Sequence, residues 1–244
     1  AIVVLYLTES PQSVSPDLTL IVVCEAGLAG VTEVVGVVVP AEFPEEVEQL
    51  QTYFGPGNKQ AYVRAYPAVD KNVPLYILGS STDSAHLAAR KGLPYVFAGH
   101  FAPQQMKEAI EIYHDLFEPS EALDKPYMIV CLNAIVTETD KEAEYLASSL
   151  AQVFISIARG RMQPVQPPTD DLNGLLTPRE YEMAKQRFDD SLIGSEETVK
   201  AKLEAFLEEY GDIDEIMVVS YIYDQDRQFE SYERFKRVIQ KLNK

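Results

Sequence analysis

A glycine and a cluster of hydroxyls stand where an apolar run gives way to a helical pattern. They are Gly79-Ser80-Ser81, within LYILGSSTDSAHLAARKGLPYVFAGHF, residues 75–101. Ser80 or Ser81 falls at the helix N-cap, with Asp83 and Ser84 in the first turn. A helix start carries unpaired N–H groups and a partial positive charge, so it can seat an anion such as a phosphate. Gly79 would let a ligand approach the backbone closely, and Ser80, Ser81 and Ser84 could donate hydroxyl hydrogen bonds. The same residues also make an ordinary capped helix, and Asp83 would repel an anion unless it points away. Spacing alone favours the plain cap.

His100 follows the next apolar run and is the best acid–base candidate among the three histidines, because imidazole titrates near neutrality. A hydrogen-bonded loop histidine is an equal alternative. His86 and His114 fall inside predicted helices, as surface or packing residues. Gly194-Ser195 is a second loop-to-helix start, read as a plain cap, and Tyr221 and Tyr223 sit at the end of a late strand. No cluster has metal-ligand spacing, and no nucleophile elbow, Walker loop or GxGxxG motif is found, so no catalytic residue is assigned.

The elements that must position these residues alternate. PLYILG, LPYVFA, PYMIVCLNAIV and DEIMVVSYIY read as strands. Helices are predicted at 82–91, at 103–117, after Thr139 or Asp140, from Pro178, after Ser195 and at the C-terminus. Strand–helix alternation means parallel β-structure, either a doubly wound sheet or half of a (β/α)8 barrel. Both bind ligands at the carboxyl ends of their strands, where Gly79, Gly99-His100, Asn133–Thr137 and Ser220–Tyr223 lie. AIVVLYL, LTLIVVCE and TEVVGVVVP also read as strands, but their links are too short for parallel crossovers. A helix follows from Pro44, then a Gly/Pro-rich connection over 55–74.

The formal charge of −17 argues against a nucleic-acid surface or an anionic membrane as partner. Acidic helix faces such as 45–48 and 204–209 read as solvated surface. Cys24 and Cys131 sit in apolar runs as small hydrophobes, and with no disulfide framework the expected compartment is a reducing one, the cytoplasm. No apolar stretch reaches the roughly 20 residues of a membrane span, and AIVVLYL lacks a basic start for a signal peptide.

LGSSTDSAHLAARKGLPYVFAGHFAP, EALDKPYMIVCLNAIVTETDKEAEYLASSL, QPPTD, IGSEETVKAKLEAFL and DEIMVVSYIYD occur in that order. Together they resemble the luciferase-like, flavin-dependent monooxygenases, in the branch of single-subunit bacterial oxidoreductases, from about residue 43 to the C-terminus. The resemblance implies a (β/α)8 TIM-barrel-like fold in a single domain, 1–244, with 1–42 as compressed strands and 43–244 family-like. It implies that reduced FMN, supplied by a separate flavin reductase, reacts with O2 to oxygenate an organic substrate. It assigns the FMN phosphate to Gly79, Ser80, Ser81 and Ser84, and sets His100 beside the flavin. A homodimer is an assembly it allows. The family's early AEHH-like segment, glycine-rich strand end and arginine segment have no counterpart in VCEAGLAGVTEVVGVVVP, where Glu25 is the one candidate remnant. The chain reads as the family's second half behind a compressed first half, either a joined or partial stretch of a longer protein or a shortened relative. An active oxygenase and a non-catalytic flavin- or phosphate-ligand binder both remain open.

Overall fold

The computed structural model describes residues 3–5, 21–25, 43–59, 62–68 and 74–242. The expected strand TEVVGVVVP lies outside them. The described chain forms two compact units. One runs up to Ala98 and from Gln104 to Ile129; the other takes Gly99–Pro103 and Val130 onward.

In the first unit, β1 (Val3–Leu5) pairs antiparallel with β2 (Ile21–Glu25). This is the arrangement that a short link permits. After α1 (Phe43–Phe54) comes β3 (Leu75–Gly79), which pairs in parallel with β2 on one side and with β4 (Tyr95–Phe97) on the other. The register sets Glu25 opposite Gly79, and Gly79 opposite Phe97, so the carboxyl ends of the three strands are aligned.

Between β3 and β4 runs α2 (Thr82–Lys91), capped by Ser81. It ends on Gly92 at φ 58°, whose N–H bonds back to the Ala88 and Ala89 carbonyls. A side chain there would be strained, and its Cβ would meet the Glu118 carbonyl oxygen at 2.4 Å. Then α3 (Met106–Asp115) packs Tyr113 against Tyr95, ring centroids 5.3 Å apart. The Tyr113 hydroxyl donates to the Leu93 carbonyl (2.9 Å) and accepts from the Tyr127 N–H (3.0 Å), so a wholly buried phenol keeps its polar end satisfied.

The second unit is built on β5 (Met128–Thr137), most of which belongs to it. Every residue of β5 is buried, as expected for a strand covered on both faces. The long α4 (Asp140–Ala158) follows, with Thr139 as its cap. Within the proline-rich loop is a single helical turn, α5 (Leu172–Leu175). Next, α6 (Pro178–Asp189) opens with a capping box between Thr177 and Glu180 and with Pro178 in its first turn.

The sequence reading is corrected at β6 (Leu192–Ser195), a strand where a loop is expected. It pairs in parallel with β5 from Ala134–Leu192 to Thr137–Ser195. Four residues containing a glycine show no periodicity of their own, and pairing to β5 makes the strand. It leads into α7 (Glu196–Tyr210), then β7 (Glu215–Val219) beside β5, and α8 (Gln225–Leu242).

Ile135, Leu146, Leu150, Ile193 and Ile222 form the core of this unit, with Phe154, Phe188 and Tyr221 packed on it. On α8, Ser231 accepts the β5 Val136 N–H at 2.8 Å. Glu196 at the start of α7 pairs with Arg234, Arg237 and Lys241 of α8. Its carboxyl is held below the usual range, Lys241 first among the causes, and the acid also suits a helix N-terminus.

Candidate functional site

Gly79 ends β3, and its carbonyl accepts the Ala98 N–H at 2.8 Å. Ser80 is 8% exposed and Ser81 is half-buried. The Ser81 backbone is extended, and its Oγ accepts the Ser84 N–H at a long 3.5 Å. Both expected cap positions are thus resolved in favour of Ser81.

Ser84 is wholly buried. Its Oγ donates to the Ser81 carbonyl (2.7 Å) and pairs with the Tyr95 hydroxyl (2.9 Å), while Tyr95 also bonds to the Ser81 carbonyl (3.1 Å). The Ser84 hydroxyl therefore braces the first turn of α2 against β4. Asp83 is exposed on the same turn. The turn presents neutral hydroxyl and amide donors at the positive end of a ten-residue helix, a chemistry that suits an anion.

The second Gly-Ser turn uses its helix start differently. The Ser195 N–H donates to Asp140 Oδ1 at 2.6 Å, and Ser195 Oγ caps α7 by accepting the Thr198 N–H at 3.3 Å. The Ser195 backbone bond, with the Thr198 and Ser195 side chains adding, holds the Asp140 carboxyl below the ordinary aspartate range. Gly194, at φ 151°, allows this approach, because a Cβ would lie 2.9 Å from Asp140 Oδ1 and 2.6 Å from Thr198 Cγ2. An acid of the chain itself occupies this helix start.

His100 belongs to the second unit, whereas Gly79, Ser80, Ser81 and Ser84 belong to the first. Its N–H donates to the Cys131 carbonyl (2.8 Å), and its carbonyl accepts from Asn133 Nδ2 (3.2 Å). The ring lies 4.1 Å from that of Phe101. Burial pulls its pKa down to about 4, the Cys131 carbonyl acting against this and the Arg187 charge adding to it. At neutral pH the imidazole is uncharged. His86 Nδ1, His100 Nδ1, Asn133 Oδ1 and Ser220 Oγ are buried and meet no hydrogen-bond partner among the described residues. Such atoms are costly and rare in folded proteins.

Asn133 stands out in the sequence as the amide within an apolar run. Arg187 of α6 has no local signal, yet its guanidinium carbon lies 4.2 Å above the Phe154 ring centre. Cys131 is buried, and its thiol is pushed up to about 12, so it is inert packing as expected. Tyr221 packs edge-on against Phe154 at 6.3 Å, while Tyr223 is largely exposed.

A cavity of about 460 Å³ also lies in the second unit, between α4, α6 and α7, and none of the sequence-predicted site residues lines it. Lys141, Lys185 and Lys202 face Glu144, Asp170 and Asp189 there, so its walls favour neither sign of charge. Lys202 donates to the Phe188 and Ser191 carbonyls, and burial lowers its pKa. Among the described residues, no group of three His, Cys, Asp or Glu side chains could hold a metal, and no helix is long and apolar enough to cross a membrane.

A family profile described as luciferase-like monooxygenase matches residues 27–212. The uncharacterized protein YddN of Bacillus subtilis (strain 168) is 39% identical over 202 residues, covering 83% of this chain and 59% of its own length. A luciferase-like monooxygenase of Escherichia coli (strain K12) is 37% identical over 191 residues, covering 78% of this chain and 57% of its own. The chain thus spans less than two thirds of the curated relatives it matches. The crystal structure of apo-MsnO8 superposes with a TM-score of 0.67 at 24% identity, over 82% of this chain and 60% of that one. The fold is α/β and TIM-barrel-like.

Proposed function

This chain belongs to the luciferase-like monooxygenase family, and on that premise we propose that it acts as an enzyme that uses reduced FMN and O2 to oxygenate a small organic substrate. The observation that carries the reading is the family match over residues 27–212, which takes in both the Gly79–Ser84 turn and His100. FMN would supply the oxygen chemistry itself; binding, orientation and exclusion of water fall to the protein.

The phosphate end is assigned to the turn after β3, to the hydroxyls of Ser80 and Ser81 and the first-turn amides of α2. Gly79 leaves room for close approach. Ser84 braces the turn from within, since its hydroxyl already has partners. Asp83 is exposed, where solvent and salt weaken its repulsion of an anion. His100 is assigned to the surroundings of the flavin as a neutral imidazole, able to accept at one nitrogen and donate at the other. Reduced flavin would come from a separate reductase, in the cytoplasm, to a chain working as a single domain or a homodimer of it.

A second reading, flavin or phosphate-ligand binding without oxygenation, is favoured by VCEAGLAGVTEVVGVVVP, which carries neither the family's histidine pair nor its arginine segment. Anaerobic titration of the full chain with reduced FMN, followed by oxygen uptake with a flavin reductase and substrate candidates, separates the two. Saturable binding, weakened about tenfold or more by Ser81→Ala through loss of a hydrogen bond to a charged group, is expected. Uptake above the reductase's own supports the oxygenase. Binding with no extra uptake leaves the second reading, and no binding overturns both.

A further inference from the structure

We propose that Arg187 is a positioning residue for His100, clamping the His100–Phe101 backbone to α6 and α4 so that the imidazole is held in one orientation. The proposal rests on the assignment of His100 to the flavin site and adds a residue to it. Arg187 Nη1 donates to the His100 carbonyl (3.5 Å) and Nη2 to the Phe101 carbonyl (3.3 Å). Its guanidinium carbon stacks over Phe154 at 4.2 Å, and Phe154 in turn meets Phe101 edge-on at 6.5 Å. One planar fork thus joins two successive carbonyls to an aromatic ring, a geometry that a lysine ammonium does not reproduce.

The clamp completes a set. The His100 N–H is held by Cys131, and its carbonyl receives Asn133 as well as Arg187. The backbone is held by three hydrogen bonds, while the ring nitrogen Nδ1 meets no partner among the described residues. Holding a residue so firmly while leaving a buried polar atom unsatisfied costs stability, on the order of 1–3 kcal/mol for the orphaned atom. That cost is intelligible where the atom serves a ligand.

The chain carries a formal charge of −17, yet among the described residues Arg187 makes no ion pair; its bonds go to backbone carbonyls and a ring. Among the described residues, the titratable group that acts on the His100 ring from a packed element is the Arg187 guanidinium of α6, while the Cys131 backbone carbonyl of β5 acts the other way. Arg187 is therefore the charge that opposes protonation of the ring, in addition to burial.

The test is the His100 ring titration in the isotope-labelled full chain, assigned with His100→Gln, together with hydrogen exchange of the His100 N–H. Arg187→Met should move the His100 midpoint upward as the opposing charge goes, and should speed exchange of that N–H. Arg187→Lys should restore the midpoint in part but not the exchange protection. A folded Arg187→Met protein with midpoint and exchange unchanged overturns the proposal. If Arg187→Met does not fold, Phe154→Leu, which removes only the ring beneath the guanidinium, should move both readouts the same way by less; no movement overturns it. Neither readout needs flavin. A wild-type chain that binds no flavin defeats the proposed function while leaving the clamp testable, and an unmoved His100 in a flavin-binding protein defeats the clamp alone.

Discussion

Ser84→Ala tests how the turn after β3 is built. Ser84 is wholly buried, with one hydrogen bond to the Ser81 carbonyl at 2.7 Å and one shared with the Tyr95 hydroxyl at 2.9 Å. The alanine removes both and leaves a void of a single oxygen. Tyr95 retains the Ser81 carbonyl as acceptor at 3.1 Å, so neither group is orphaned. Two net hydrogen bonds, each worth about 1 kcal/mol, with no added desolvation penalty, give an expected loss of about 1–2 kcal/mol. For a chain of this size that is a fall in melting temperature of about 2–8 °C. Urea unfolding followed by circular dichroism measures it. A cycle with Tyr95→Phe should give a coupling of about 0.5–1.5 kcal/mol, because the two hydroxyls share one bond and one acceptor. The variant should keep saturable FMN binding, since the hydroxyl it loses is a brace. A Ser84→Ala protein within about 0.3 kcal/mol of wild type, or an additive cycle, refutes the reasoning.

Gly92→Ala combines a left-handed backbone with contacts at 2.4 Å to the Glu118 carbonyl oxygen and 2.6 Å to Ser120 Cβ. The backbone costs about 1–2 kcal/mol and the overpacking a further 1–3, so thermal unfolding should show a loss of about 2–5 kcal/mol; wild-type stability would contradict the turn geometry. Asp140→Asn removes the charge at the start of α7 and should cost about 0.3–1 kcal/mol at neutral pH. The folded pKa of Asp140 lies below the ordinary 3.8, so its contribution is present above that value and is lost as pH falls through the folded pKa. The two proteins should therefore converge in stability as the pH falls through the folded pKa of Asp140, and a gap that stays constant across the acid limb of the unfolding curves would count against the charge.

The sequence by itself determined what depends on residues within one turn of each other. The helix starts at Ser80 or Ser81, at Thr139 or Asp140 and at Ser195, and Pro178 in the first turn of α6, were legible because cap side chains act on amides two or three positions away, and the structure selects Ser81 and Thr139 from the two pairs. The apolar run of β5 announced a strand buried on both faces, and the order of motifs announced the family. Tertiary structure decided what distant segments do to one another. The strand β6 exists because β5 offers it a ladder. Gly79-Ser80-Ser81 and Gly194-Ser195 look alike in sequence, yet the second receives the carboxylate of Asp140, 55 residues away. The hydroxyl of Ser84, legible only as a donor near a helix start, is turned inward to Tyr95. Arg187 reads as one more charge on a polar helix, and only folding brings it to the carbonyl of His100, 87 residues distant. Caps and periodicity are local energies written in neighbouring residues, whereas the protonation and orientation of His100 follow from burial and from a charge that packing alone brings near.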